Sequence, residues 1–157
     1  MTDTDPLSLL NSTLERCIPI TRAMGITADS YDGNRLRLSA PASPNLNDKL
    51  TTFAGSSYSI AALSGWSLLY VKLVERGIDA DIAVYKGEIN YIKPAKGDFF
   101  AICATPEPEF IEDFFGTLAT RKKAKITLNV VVYDAESPVV DFTGKYSVRY
   151  LGSEQLL

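Results

Sequence analysis

The 157-residue sequence predicts an α+β fold in which a curved, mainly antiparallel β-sheet wraps one long central helix. Three observations carry that prediction. No charged residue stands between Lys49 and Lys72, and the apolar side chains of that stretch surround a helix on every side, as burial on every side requires. The second half of the chain alternates apolar and polar residues in short runs broken by Pro, Gly and Asp, the pattern of half-buried strands. Those runs follow one another closely enough to pair as antiparallel neighbours, and such a sheet buries one face against a helix.

The elements follow in order. "DPLSLLNSTLERCIPI" reads as a short first helix, with Asp5 as its cap, Pro6 at the first helical position and Leu7, Leu10, Leu14 and Cys17 at helical spacing. Pro19 stops it. "GITADSYDGNRLRLSA" predicts a hairpin turning at Asp32-Gly33-Asn34. The long helix runs from about Phe53 to Glu75 and closes at Gly77. Small residues on its first half let other backbone approach closely, as a wrapping sheet demands. Strands are expected over 81–92, ending before Pro94, over 98–105 after a Lys96-Gly97 turn, over 124–134 and over 138–151. In the last of these, Val140, Phe142, Tyr146, Val148 and Tyr150 share one face. "EFIEDFFGTLATRKK" suggests a turn of helix through Phe110, Phe114 and Leu118. No repeat or linker interrupts the chain, so residues 1–157 read as one domain whose last four strands are joined largely by hairpins.

Composition narrows the function. The net charge of −3 argues against nucleic acid as a partner, because a dedicated binder shows a basic excess. The two cysteines, Cys17 and Cys103, stand far apart in no metal or redox spacing, which fits packed thiols in a reducing, cytoplasmic setting. "MTDTDPLSLL" carries acids where an export signal needs bases. The uncharged stretch from Leu50 to Val71 is long enough to cross a bilayer, yet its five Ser, two Thr and two Gly make it too polar for a membrane span. There is no histidine. That removes Ser-His-Asp and Cys-His catalysis, histidine-held metals and a histidine base. Nothing points to a metal or a cofactor, so any chemistry rests on carboxylates, hydroxyls, amides and backbone N–H groups.

The most unusual stretch is "NLNDKLTTFAGSSYSIAALSGW", residues 45–66. A polar loop with Asn45, Asn47 and Asp48 runs into a helix of small side chains. Surface helices favour Lys and Glu, and buried ones favour Leu. This helix has neither composition.

With "APASPNLNDKLTTFAGSSYSIAALSGW", "DIAVYKGEINYIKPAKGD" and "RKKAKITLNVVVYD" in that order, the chain resembles the hotdog-fold thioesterase superfamily, nearest the thioesterase-like group of YiiD C-terminal domains. The likeness spans residues from about 20 to 150. It implies the hotdog fold, a homodimer or homotetramer with sites between subunits, and a thioester of coenzyme A or an acyl carrier protein as substrate.

By that resemblance, Asn47 matches an asparagine that orders substrate or water seven residues before a Gly-Gly pair, here Ala54-Gly55. The Gly55 N–H would then polarise the thioester carbonyl at the helix's amino end, where orphan N–H groups and the helix dipole favour a developing oxyanion. The catalytic acid that many such enzymes carry eight residues after the first glycine is replaced by Ala62, and a hydroxyl, Ser64, follows two positions later. Glu88, on a strand face with Lys86 and Asn90, is the carboxylate that the resemblance puts forward to activate water, and Asp48 is the fallback. Arg121, Lys122 and Lys123 match a basic turn that meets coenzyme A phosphates.

Each residue also has a plainer account. Asn47 can close an Asx-turn, Ser64 can bond back to its own helix, and Glu88, Lys86 and the basic run can be solvated. Trp66 and Tyr58 read as core or dimer-contact aromatics. The expectation is a thioesterase, set against a non-hydrolytic acyl-thioester binding module supported by Ala62.

Overall fold

The structure, a computed structural model, describes residues 5–152. The start of the acidic stretch that weighs against an export signal lies outside those residues. Helix α1 (Pro6–Cys17) is capped as expected, the Asp5 carboxylate accepting from the Ser8 N–H at 3.2 Å. Leu10 and Leu14 are its buried side chains. Pro19 does not only end a helix: it precedes a short second one, α2 (Ile20–Met24), which closes on Gly25 at a left-handed φ of 71°. The ring that ends one helix presets the φ needed to begin the next.

Strands β1 (Thr27–Tyr31) and β2 (Arg35–Ala40) form the expected hairpin, its turn held by Asp32 Oδ1, which accepts from the N–H groups of Asn34 and Arg35. The long helix α3 (Ala54–Glu75) follows, and Ile60, Ala61, Ser64, Leu68 and Val71 are all buried to within 1%. After it come β3 (Ala80–Tyr91), β4 (Phe99–Ala104), α4 (Pro108–Arg121), β5 (Lys123–Tyr133) and β6 (Pro138–Tyr150).

The six strands make one antiparallel sheet in the order β1-β2-β4-β5-β6-β3. Its inner face, with Leu36, Leu38, Phe99, Cys103, Leu128, Val130, Phe142, Tyr146 and Val148, packs on α3. The long buried helix gripped by a sheet is therefore present, and so is the alternation of β6: Val140, Phe142, Tyr146 and Val148 are each at most 2% exposed.

Two expectations need correction. Only β1–β2 and β5–β6 are true hairpins among the described strands, because β3 pairs with β6 at the far edge while β4 inserts between β2 and β5. Alternation tells which face a residue occupies, not which strand lies beside it. The turn of helix near Phe110 is instead the full helix α4. Pro108 opens it, and Ile111, Phe114, Phe115 and Leu118 recur at helical spacing and are buried. It lies beside the part of β5 that β4 leaves unpaired.

Close backbone approach explains one glycine inside α3. A Cβ on Gly65 would run into the Tyr146 ring and hydroxyl, so only glycine lets β6 place a tyrosine against the middle of the helix. Among the described residues, no helix is long and apolar enough to cross a membrane.

Candidate functional site at the amino end of the long helix

The polar loop before α3 is a built structure. Leu46 and Thr52 pair as an isolated antiparallel bridge, and Asn47 N–H donates to the Thr51 carbonyl at 2.8 Å. Inside that small loop the Asn47 side chain is fully engaged. Its Oδ1 accepts from the N–H groups of Lys49 and Thr51, and its Nδ2 donates to Thr51 Oγ1 at 2.8 Å and to the Thr52 carbonyl. Asn45 is buried, and its Nδ2 donates to the carbonyls of Met24 and Pro41, both at 2.8 Å, which ties the loop to α2. Both asparagines thus have structural work. Asn45 Oδ1 and Thr52 Oγ1 remain buried without a partner among the described residues, as do the hydroxyls of Ser67 and Ser137 elsewhere.

The loop delivers the chain to α3 without a side-chain cap. Phe53 occupies the N-cap, and its own carbonyl accepts from the N–H groups of Ser56 and Ser57. The N–H groups of Ala54 and Gly55 find no acceptor among the described residues. These are the orphan donors at the positive end of the helix dipole. The Phe53 ring, 55% exposed, lies so close over Gly55 that a Cβ there would clash with it. Leu46, Leu50, Tyr91 and Ile92 are likewise exposed apolar side chains near this end.

Tyr91, the last residue of β3, reaches the same place. Its hydroxyl donates to the Ala54 carbonyl at 2.9 Å. Burial, then the neighbouring Tyr58, hold that hydroxyl above the ordinary tyrosine range, so it remains a proton donor at neutral pH. Tyr58 itself packs edge-on against Phe142 and fills the space over Gly87. Sequence reasoning missed Tyr91. The available signal was its place as the final inner-face residue of a strand that stops before Pro94.

The other candidates are spread out. Ser64 is fully buried, and its Oγ donates to the Ile60 carbonyl at 2.7 Å, the back-bond of an interior helix serine. It stands nine residues beyond Gly55, about 14 Å along the helix axis. Asp48 is exposed on the loop, both carboxylate oxygens 3.1 Å from Lys49 Nζ. Glu88 lies across from Thr143 on the outer face, 3.5 Å from Lys86 Nζ. Within one chain the sheet therefore separates Glu88 from Gly55.

Arg121, Lys122 and Lys123 join the end of α4 to β5, with Lys122 at φ 61° and its Nζ 4.7 Å from the centre of the Tyr150 ring. Register places Val132 opposite Val140 and Val140 opposite Tyr91. From Lys123 to that level is nine strand residues, about 30 Å. In one chain the basic turn and the helix's amino end lie at opposite ends of the sheet. Among the described residues no cluster of His, Cys, Asp and Glu could hold a metal.

Comparison with known proteins bears on the family and the fold. Residues 7–150 match the family described as "Putative thioesterase (yiiD_Cterm)". The chain is similar to a protein of unknown function from Chlorobaculum tepidum, at 35% identity and a TM-score of 0.86, over 90% of this chain and 92% of that one. It is similar also to a structure described as a putative thioesterase from Shewanella oneidensis, at 29% identity and a TM-score of 0.82, over 92% of this chain and 96% of that one. A protein of unknown function from Pseudomonas aeruginosa, at 22% identity and a TM-score of 0.77 over 91% and 95% of the two chains, speaks to the fold alone. With a hotdog sheet around α3 and a family match over nearly its whole length, this chain belongs to the YiiD C-terminal thioesterase family.

Proposed function

We propose that the protein hydrolyses an acyl thioester of coenzyme A or of an acyl carrier protein at the amino end of α3. The observation that carries this reading is the pair of N–H groups on Ala54 and Gly55, which have no acceptor among the described residues and stand at the dipole's positive end. A thioester carbonyl seated there would have its developing negative charge met by fixed donors that need no reorganisation. Water adds to the carbonyl carbon, the C–S bond breaks, and the thiolate leaves and takes up a proton. Asp48 is the carboxylate nearest this end in sequence and the candidate to receive the proton of the attacking water. Asn47 shapes the loop that carries it. Water is the only co-reactant, so no cofactor is called for, and a cytoplasmic setting supplies the substrate.

A second copy of the chain belongs to this reading. Strand β3 is an edge with Val84, Tyr85 and Tyr91 exposed, and Ile92 just beyond it is exposed too; an unpaired apolar edge is a template for another strand. Antiparallel pairing of β3 with its counterpart would reverse the second sheet. The partner's basic end, with Arg121, Lys122 and Lys123, would then lie towards this chain's Gly55. That resolves the separation of about 30 Å within one chain and gives the phosphates of coenzyme A a cationic contact.

Liberation of thiol from a panel of acyl-CoA esters tests the reading. Turnover on at least one chain length, lost on Asp48→Ala, is expected. No thiol release from any ester would remove the hydrolase. Scattering mass at micromolar concentration should correspond to two or four chains, and a monomer would refute the shared site.

A non-hydrolytic acyl-thioester binding module is the second reading. It is favoured by Ala62 on α3 and by the outer-face position of Glu88. Calorimetric binding of an acyl-CoA with no turnover would select it.

A further inference from the structure

The carbonyl that Tyr91 holds and the N–H that faces the proposed thioester belong to one peptide bond. Ala54 C=O and Gly55 N–H are its two ends, and planarity fixes them in opposite directions. The Tyr91 hydroxyl donates to the Ala54 oxygen at 2.9 Å. A donor on the oxygen draws electron density through the amide, which strengthens the N–H as a donor on the other side. It also fixes the rotation of the peptide plane and so the aim of the N–H. Ala54 is exposed and Gly55 half-buried at the first turn, where a helix frays most readily. An external clamp on that turn has something to do.

A second, independent observation at this spot is an unpartnered polar side chain. Thr52 Oγ1, immediately before the N-cap, is buried and has no partner among the described residues. Tyr91 itself is 46% exposed, at the end of the edge strand. Its hydroxyl turns to the Ala54–Gly55 peptide.

We propose that Tyr91 is a positioning residue for thioester hydrolysis, setting the direction and the donor strength of the Gly55 N–H through the Ala54–Gly55 peptide. This rests on the thioesterase reading and adds a part to it. Tyr91 does not exchange a proton with substrate. Its hydroxyl stays on Ala54 throughout, and the gain appears as the negative charge grows on the thioester oxygen. Its removal therefore acts on kcat more than on KM, because the ground-state carbonyl carries little of that charge.

The test compares wild type, Tyr91→Phe and a control, Tyr133→Phe on β5, whose ring stacks on Phe100. Tyr91→Phe should lower kcat about tenfold while KM stays within about twofold. The control should match wild type. Amide NMR supplies a readout that packing alone would not move: the Gly55 proton resonance should shift upfield in Tyr91→Phe without substrate, with other α3 resonances in place. A kcat within twofold of wild type, or an unmoved Gly55 resonance, would overturn the proposal. If wild type releases no thiol from any acyl-CoA, the hydrolase reading fails by itself. The proposal is then decided by an acyl-CoA analogue whose thioester sulfur is replaced by methylene. Movement of the Gly55 amide on binding this ketone, diminished in Tyr91→Phe, sustains the clamp, and no movement in wild type removes it.

Discussion

The Tyr146 hydroxyl donates to the carbonyl oxygen of Ala62 at 2.6 Å, joining the middle of β6 to the middle of α3. Tyr146 is fully buried, and burial, ahead of smaller effects from Cys103 and Tyr58, holds its hydroxyl well above the tyrosine range. Tyr146→Phe should lower stability by about 1 kcal/mol. Gly65→Ala should cost more, about 2 kcal/mol, because the new methyl meets the tyrosine ring as well as its hydroxyl. The double variant should be less unstable than the sum, since losing the hydroxyl relieves part of the crowding. Urea unfolding of the four proteins measures this. Strict additivity would contradict the packing described.

Asn47 offers a separation of structure from chemistry. All of its side-chain hydrogen bonds go to its own loop. Asn47→Ala should lower the unfolding midpoint by several degrees, the consequence of losing about 1–2 kcal/mol. Asn47→Asp keeps the two accepted N–H bonds and should recover more than half of that loss. Thermal denaturation reports both. Equal instability of the two variants would show that the accepted bonds do not hold the loop.

Glu88→Gln should leave thioester turnover within about twofold of wild type, because a group that touches no transition state contributes little to kcat. Glu88 is on the opposite sheet face from Gly55 and already pairs with Lys86. A loss of a hundredfold or more would mean that a second subunit brings Glu88 into the site.

Asp134 gives a pH dependence with a definite sign. Burial pushes its carboxyl up, but the N–H groups of Glu136, Lys96 and Ser137, aided by Lys93, outweigh that and hold it below the usual range. A depressed folded-state pKa contributes stability that is present above the unfolded value, near 4, and is lost as pH falls through the folded value. Asp134→Ala should cost about 2 kcal/mol at neutral pH, and the gap to wild type should narrow below about pH 4. Denaturant titrations at pH 7 and pH 3 check it. A gap that widens on acidification would reverse the assignment.

The cysteines should differ sharply towards a thiol reagent. Cys17 is exposed, whereas Cys103 is fully buried and its thiol is pushed up to about 12 by burial. One thiol should react in the native protein and the second only on unfolding. Rapid reaction of both under native conditions would show that the inner face of β4 opens readily.

Much of this was legible in the sequence because it follows from periodicity. A helix apolar all round had to be surrounded, and the alternation of β6 told which residues face it. The helix start was legible as small residues after a polar loop. Strand order was not, since Lys96-Gly97 looks like a hairpin turn while the chain there actually spans from one edge of the sheet to its interior. The position of Glu88 shows the same limit: spacing put it with Lys86 and Asn90, but not on a side of the sheet relative to Gly55. Tyr91 escaped notice because its meaning lies in one contact made across 37 residues of chain. The interior serine at position 64 was open to two accounts, and its bond to Ile60 fits the plainer one.

The run of partners between β4 and β5 extends only from Phe100↔Tyr133 to Cys103↔Val130, whereas β5 and β6 stay paired from Lys123 to Tyr133. The sheet is in effect two ribbons stitched along a brief seam, with the stacked rings of Phe100 and Tyr133 reinforcing one end of it. Slow breathing of the molecule would start there, parting β1-β2-β4 from β5-β6-β3 while each ribbon keeps its own ladder. The β4 amides between Phe100 and Cys103 that bond across to β5 would then exchange with solvent ahead of those in the centre of β6, while those bonded to β2 stay protected.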